Sequence, residues 1–497
     1  MGVSTMFDYR RFALGRLAAI APQYLPFADA ASAEVPLSRL LRLSLFQMTV
    51  GMALVLMVGT LNRVMIVELH VPATLVALML ALPLVFAPFR ALIGFKSDTF
   101  KSALGLRRLP WIFKGTMYQF GGFAIMPFAL LVLSGYGEAV DAPRWIGLSA
   151  AALSFLLVGA GMHIVQTVGL ALATDLVPPE DQPKVVGLMY VMLLLGMILS
   201  ALVYGALLAT YTPGRLIQVI QGTAVVTIFL NGLAMWKQEA RNRSRALSPR
   251  VEIAFTTALR HLSEQPGMLR LLAVIALGTA GFGMADVLLE PFGAQVLAMT
   301  VAQTTRLTVV LACGSLVGFA LASRLLGRDG WQPMTVACLG TLIGVPAFLI
   351  LMISAAFLTV PLLIAATLSA GFGAGLFGHG TLTATMRAAP REHIGLSLGA
   401  WGAVQTTAAG IAVATGGVIR DVLLLSPDAG QGAADLAGPA AAAPYLPVFG
   451  LEAGLLLLAL IVAWPLRRQD IETRQSTSIS PPTGIATRQD SVAETRP

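Results

Sequence analysis

Apolar residues run in blocks of about 20 to 30 along almost the whole chain, broken by short polar connections. A bilayer imposes that block length. About 20 apolar residues, rising 1.5 Å each, cross a hydrocarbon core roughly 30 Å thick, and a helix satisfies its own backbone polar groups there. The pattern predicts an all-α polytopic membrane protein with twelve transmembrane helices, at about 43–66, 72–95, 110–134, 146–173, 185–209, 214–236, 268–291, 300–326, 332–355, 358–385, 394–419 and 446–466. The longest polar connection, KQEARNRSRALSPRVEIAFTTALRHLSEQPG, follows the sixth span and divides the chain into two sets of six. The expected organisation is a segment 1–42, a first six-helix half 43–236, a central loop 237–267, a second half 268–466 and a disordered tail 467–497. Residues 6–24 carry Arg10, Arg11 and Arg16 among Phe, Leu and Ile, and read either as a helix on the membrane surface or as a frayed terminus.

Composition agrees with the pattern. The 497 residues are 56% hydrophobic and only 12% charged, against about 25% charged in soluble domains. The net charge of +8 raises the question of an anionic partner, and its distribution answers it. Of the Lys and Arg residues, 25 fall in the two ends and alternate loops, whereas the opposite loops hold only Arg63, Arg144, Arg215 and Arg420. The positive-inside bias puts both termini in the cytoplasm, so the basic charge sets topology and no nucleic-acid partner is expected. The first 42 residues lack a signal-peptide core and cleavage site, which makes the first span an uncleaved anchor. Cys313 and Cys338 lie in apolar runs without CxxC spacing and read as packing residues.

The two sets of six carry a faint repeat. Ala173-Thr174 matches Ala384-Thr385, Pro179 matches Pro390 and Asp181 matches Glu392, all at an offset of 211. Gly159-Ala160-Gly161 matches Gly373-Ala374-Gly375 at 214, and Gly187-Leu188 matches Gly395-Leu396 at 208. Parallel halves about an axis along the membrane normal account for matches at corresponding helices. Between spans 2 and 3, Gly94, Asp98, Gly105, Arg107 and Arg108 resemble the G-x-x-x-D…G-x-R-R loop of the major facilitator superfamily, with extra residues before the second glycine. In that superfamily the acidic residue and the basic pair latch the two halves on the cytoplasmic side.

More particular strings narrow the resemblance. LPFADA, LSRLLRLSLFQMTVGMALVL, GTLNRVMIVEL, LPLVFAPFRALIGFKSDT and QFGGFAIMPFALLVLSG run almost unbroken from residue 25 to 135, and ALATDLVPPEDQPKVVGLMYVMLLLGM and GRLIQVIQG follow. These are similar to the PucC/LhaA family, the bacteriochlorophyll-delivery branch of the superfamily, over roughly 25 to 465. The resemblance implies assembly of light-harvesting antennae in the inner, intracytoplasmic photosynthetic membrane of a purple-type bacterium. It implies bacteriochlorophyll as a transient cofactor or cargo. The implied partners are the antenna α and β polypeptides, the reaction centre–antenna core complex and chlorophyll synthase. It does not separate the PucC-like from the LhaA-like subtype.

A macrocycle of that kind carries a magnesium ion that takes an axial ligand, and neutral imidazole is a common protein ligand. His70, His261 and His393 fall in loops, whereas His163 and His379 lie inside spans 4 and 10 as approximate repeat mates, 216 residues apart. Each follows glycines, in GAGMH and GAGLFGHG, which could admit another backbone or a flat ring. The candidate pigment-binding residues are therefore His163 and His379, with Gln166 one turn from His163 and Gln405 facing the central cavity. Hydrogen bonding between packed helices is the competing explanation for all four. The formal G-x-G-x-x-G at Gly373, Gly375 and Gly378 lies inside an apolar span with no strand before it, so it is no dinucleotide site.

Charges in the spans complete the inventory. Arg90 and Lys114 fall near cytoplasmic helix ends, where long side chains snorkel to the headgroups. Arg63 of span 1 matches Asp286 of span 7 at an offset of 223, with Glu290 one turn further on. The expectation is that Arg63 pairs with Asp286, Glu290 or both and closes the periplasmic side. No catalytic constellation is present in the pattern, and enzyme activity is not expected. The competing functions are a small-molecule transporter working by alternating access and a pigment-free scaffold for antenna subunits. Span carboxylates near helix ends weigh against proton-coupled transport.

Overall fold

The computed structural model describes residues 35–85, 90, 93, 97, 100, 106–135, 141–178, 181–239, 260, 264–326, 328, 330–388, 394–424 and 441–479, the side chains of 84, 85, 183, 394–399 and 468–479 excepted. Twelve apolar helices account for most of them. They are α1 (Leu37–Glu68), α2 (Ala73–Val85), α3 (Leu109–Ser134), α4 (Arg144–Asp175), α5 (Gln182–Leu207), α6 (Pro213–Met235), α7 (Met268–Leu297), α8 (Val301–Leu326), α9 (Pro333–Phe357), α10 (Val360–Ala388), α11 (Ile394–Leu424) and α12 (Leu446–Ile479). Eleven are long and apolar enough to cross a membrane. The second, α2, is described as a shorter helix, with residues 90, 93 and 97 helical beyond it. The first span starts six residues before its expected position. The last continues as helix to Ile479, into the segment expected to be a disordered tail.

The packing repeats between halves. In the first, α3 lies on α4 and α6, α1 on α5 and α6, and α2 on α4. In the second, α9 lies on α10 and α12, α7 on α11 and α12, and α8 on α10, so each contact has its counterpart six helices on. The halves join through α2 against α11 and α5 against α8, which exchange under the same relation, and through α1 against α7 and α8. Glycines set the closest crossings. A Cβ on Gly161 would lie 2.4 Å from the Gly115 carbonyl oxygen, and one on Gly373 would lie 2.7 Å from that of Gly340. These are the same α3–α4 and α9–α10 crossings in the two halves, and they fix the local repeat offset at 212.

Two helices depart from regular α geometry. The outer part of α1 is π-helical over Val55–Leu61 and Val64–Glu68, where each turn closes on the fifth residue rather than the fourth. The seventh is broken at Met284, between Met268–Gly283 and Ala285–Leu297. Glu452 of α12 fills the break: its Oε1 accepts a hydrogen bond from the Ala285 N–H at 2.6 Å, one of the donors that a helix start leaves unmatched. Below, "basic end" denotes the end of the bundle where α1 begins and α2 runs out, and the other end is called the far end.

Candidate functional site

Some of the polar side chains that the sequence placed inside spans meet around Arg90, between α4 and α11. Arg90 is their centre. Its Nε donates to Thr167 Oγ1 at 3.0 Å, its Nη2 to Gln166 Oε1 at 2.9 Å, and its Nη1 to Thr406 Oγ1 at 2.7 Å. The guanidinium therefore spans both halves, with two acceptors on α4 and one on α11. Snorkelling does not describe it: the half-buried side chain is held by three acceptors on neighbouring helices rather than extended towards headgroups. Lys114 is the residue that reaches outward, exposed over the Trp111 and Tyr118 rings at 5.8 and 5.7 Å.

His163 lies within electrostatic reach of Arg90, buried to 6% exposure, and neither ring nitrogen has a hydrogen-bond partner among the described residues. Buried polar atoms in folded proteins are nearly always bonded, so an imidazole with both nitrogens unengaged calls for an explanation. Gln405 makes no hydrogen bond among the described residues and is partly exposed beside Thr406. Tyr190 of α5 lies in electrostatic range of Arg90, and its ring lies near-parallel to Phe319 at 6.3 Å and edge-on to Trp401 at 6.0 Å.

His379 has other company. Its ring meets Phe319 edge-on at 4.2 Å between centroids, in a layer with Tyr190 and Trp401. The offset of 212 fixed by the glycine crossings would put the mate of His163 at Gly375, so His379 lies four residues, about 6 Å, nearer the basic end. The structure does not bring the two histidines into one site.

Does a macrocycle fit beside either one? The donor chemistry at His163 fits. The space does not, in the arrangement described. Most of the glycines that might have cradled a ring are taken up by helix contacts: Cβ atoms on Gly159, Gly161, Gly373 and Gly375 would all lie within 3.0 Å of Pro83, Gly115, Gly340 and Ser315. Only Gly378 of the α10 tract faces open space. A separate groove of about 710 Å³ lies between α1, α5 and α6, lined by Met48, Met52, Ser200, Tyr204 and Thr223, and neither histidine borders it.

At the far end the expected latch is replaced by another. Arg63 Nη1 pairs with Glu68 Oε1 and Nη2 donates to the Met299 carbonyl at 3.5 Å; neither Asp286 nor Glu290 pairs with it. The cause is local. Five residues separate Arg63 from Glu68, and the π turn brings positions of that spacing together where an α turn would splay them. Glu290 instead accepts from Thr308 Oγ1 at 2.7 Å, pressed against Gly59, and its Oε2 is buried without a partner. Asp286 is exposed and makes no ion pair among the described residues. It lies eleven residues before the end of α7, roughly 17 Å in, rather than at the helix end that the pattern suggested.

The halves are tied at the far end by contacts without a sequence signal. Asn62 Nδ2 donates to the Val287 carbonyl at 2.7 Å, and the Thr74 N–H donates to Asp421 Oδ2 at 2.6 Å. Of the loop motif, Gly94, Asp98 and Gly105 lie outside the described residues, as do His261 and His393. Arg107 and Arg108 bond Asp175 of α4, and Arg108 also donates to Ser97 at 2.6 Å. Glu239 accepts from the N–H groups of Arg107, Arg108 and Leu109, capping α3.

Comparison with known proteins shows both fold and family. The chain is similar to solved transporters of low sequence identity. A D-xylose–proton symporter aligns with a TM-score of 0.65 at 13% identity over 86% of this chain and 96% of that one. A bacterial homologue of the human lysosomal transporter Spinster, inward-facing and unoccupied, gives 0.63 at 15% over 88% and 97%. At such identities the likeness speaks for the major facilitator fold alone. A family model described as PUCC protein matches residues 60–471. Protein PucC of Rhodobacter capsulatus is 64% identical over 93% of this chain and 99% of its own length. Protein PucC of Cereibacter sphaeroides is 58% identical over 92% and 98%. A Rhodobacter capsulatus protein described as the bacteriochlorophyll synthase 44.5 kDa chain is 27% identical over 86% and 94%. The chain belongs to the PucC family, as a multi-pass, photosynthesis-related membrane protein with the major facilitator fold.

Proposed function

We propose that this protein is an assembly factor that delivers or positions bacteriochlorophyll for light-harvesting antenna polypeptides in the photosynthetic membrane. The observation that carries the reading is His163: a buried imidazole with both nitrogens unengaged, inside the bundle, where the halves meet. A packing histidine would have a hydrogen-bond partner; a ligating one keeps a nitrogen for the cargo. On this reading a nitrogen of His163 would donate its lone pair to the magnesium of the pigment, and the packed helices would have to separate to admit the ring. The relative described as a bacteriochlorophyll synthase chain supports the pigment context.

The test is an absorption spectrum of the full chain purified in mild detergent from a bacteriochlorophyll-making host. A stoichiometric near-infrared band that disappears in His163→Phe is expected. Pigment-free protein that still co-purifies with antenna subunits would overturn delivery and leave a scaffold. Transport of a small molecule is the second reading. It is favoured by Asp286, Glu290 and Glu452, three carboxylates inside spans, none in an ion pair among the described residues. Loss of antenna in Asp286→Asn, with pigment binding intact, would favour transport.

A further inference from the structure

Arg90 is a cation without a counter-charge. No carboxylate among the described residues pairs with it, and its three acceptors there are two hydroxyls and an amide, all neutral. The acids nearest the basic end are engaged elsewhere: Asp175 with Arg107 and Arg108, Asp181 with Lys184, and Glu239 with the start of α3. A guanidinium has five N–H donors in a planar fork. Three are used here, so two remain. Ionisable groups at membrane depth face the protein interior or a cavity and mark ligand pathways.

The surroundings describe what would fit. Gly402 lies one turn from Thr406 on the same face of α11, and a Cβ there would meet nothing within 4 Å, so open space adjoins the guanidinium's partner. Gln405 offers an unbonded amide beside it, and Tyr190, Trp401 and Phe319 supply aromatic walls on the basic-end side. We propose that Arg90 binds the single oxyanion, carboxylate or phosphate, of a ligand whose body is otherwise apolar and lies between the two halves. A carboxylate meets two N–H groups of the fork in parallel, the geometry in which such bonds are strongest. An anion there takes up the two N–H groups that Thr167, Gln166 and Thr406 leave free, so a ligand contact forms beside the cross-half hydrogen bond to Thr406.

The identity of the apolar body rests on the pigment reading; the anion does not. Within that reading, the ligand of this site is an unesterified tetrapyrrole acid, distinct from bacteriochlorophyll, which is itself an ester and has no free carboxylate to offer the guanidinium. The probes are bacteriopheophorbide and its methyl ester, titrated by fluorescence quenching against the purified full chain in detergent. Bacteriopheophorbide has no metal, so its binding is independent of His163 ligation and the two proposals fail separately. The free acid is expected to bind at least about tenfold more tightly than the ester, the scale of a charge-assisted hydrogen bond. Arg90→Gln should remove that preference, and Arg90→Lys should keep part of it. Native mass spectrometry with phosphatidylglycerol against phosphatidylcholine separates the sources. Arg90-dependent retention of phosphatidylglycerol that displaces the acid assigns the site to a lipid phosphate. Equal binding of acid and ester by the unmutated protein, together with no Arg90-dependent retention of phosphatidylglycerol, would overturn the proposal whether or not any variant folds.

Discussion

The pairs α2–α4 and α8–α10 hold corresponding places in the two halves, and each sets a histidine against a residue of its neighbouring helix. In the first, α2 brings Arg90 within reach of His163. In the second, α8 brings Phe319 edge-on to His379 at 4.2 Å. One imidazole is next to a fixed charge and bonds to nothing; the other is part of an aromatic layer that ties Tyr190 of the first half to the second. A duplicated scaffold has thus kept its helix crossings while the chemistry of the two interiors diverged. The first half buries an unbonded imidazole near a guanidinium, and the second packs its imidazole against an aromatic ring.

The shared crossings can be broken first, with the largest effect. In Gly161→Leu the new side chain starts 2.4 Å from the Gly115 carbonyl oxygen, and in Gly373→Leu it starts 2.7 Å from that of Gly340. Backbone cannot step aside as a side chain can, so both should exceed the roughly 1–3 kcal/mol of ordinary overpacking. Loss of the monodisperse peak in size-exclusion chromatography is expected for both. Gly378→Ala, which enters open space on the same helix, should elute as the unmutated protein does. Normal behaviour of either leucine variant would mean that these crossings do not hold the halves.

Next come the partner residues, where the halves should respond differently. Phe319 is 5% exposed, and Phe319→Ala removes a ring that touches both Tyr190 and His379. About 3–5 kcal/mol should be lost. Arg90→Met removes an uncompensated charge but leaves Gln166 and Thr406 without their donor. Those terms oppose each other, so a net change within about 1 kcal/mol is expected. The thermal midpoint followed by tryptophan fluorescence distinguishes the two; a fall in Arg90→Met as large as in Phe319→Ala would make the guanidinium a structural part.

The histidines themselves give a smaller contrast of opposite sign. His163→Leu replaces a buried, unbonded imidazole and should leave stability unchanged or raise it by about 1 kcal/mol, because an unsatisfied polar group is removed. His379→Leu loses its edge contact with Phe319 and should cost about 1 kcal/mol. Equal losses in the two variants would mean that His163 has a packing role after all.

The fold was legible because a bilayer leaves few choices: twelve apolar blocks and a six-plus-six division follow from length and hydropathy alone. The site was legible by residue type and not by connection. Arg90, His163, Gln166 and Gln405 each stood out as polar residues in apolar sequence, but the acceptors of Arg90 lie 76, 77 and 316 residues away, and no periodicity links them. Reading Arg90 as a snorkelling residue failed because position along a helix does not tell which face it occupies. The break at Met284 follows Gly281 and Gly283, which the sequence alone read as ordinary span residues, and Glu452, which fills it, is 167 residues from the N–H it accepts. The glycine tracts read equally as ring cradles or helix crossings until the neighbouring backbones were in place.

The asymmetry between halves extends to α1 and α7, and the smallest effect tests it there. The first half supplies the cation, Arg63, while the second supplies Asp286 and Glu290, yet the ion pair forms within α1 through the π turn to Glu68. Glu68 is 35% exposed, so the pair is partly solvated and should contribute about 0.5–1 kcal/mol. Glu68→Gln should lower the thermal midpoint by that amount, and Asp286→Asn should not lower it. The exchange Arg63→Glu with Glu68→Arg keeps a pair at the same spacing and should recover most of what either single change loses. Arg63→Asp with Asp286→Arg should recover nothing, since those positions do not meet. Recovery in the second exchange and not the first would restore a latch between the halves, and with it a far end that opens by breaking an ion pair rather than the hydrogen bonds of Asn62 and Thr74.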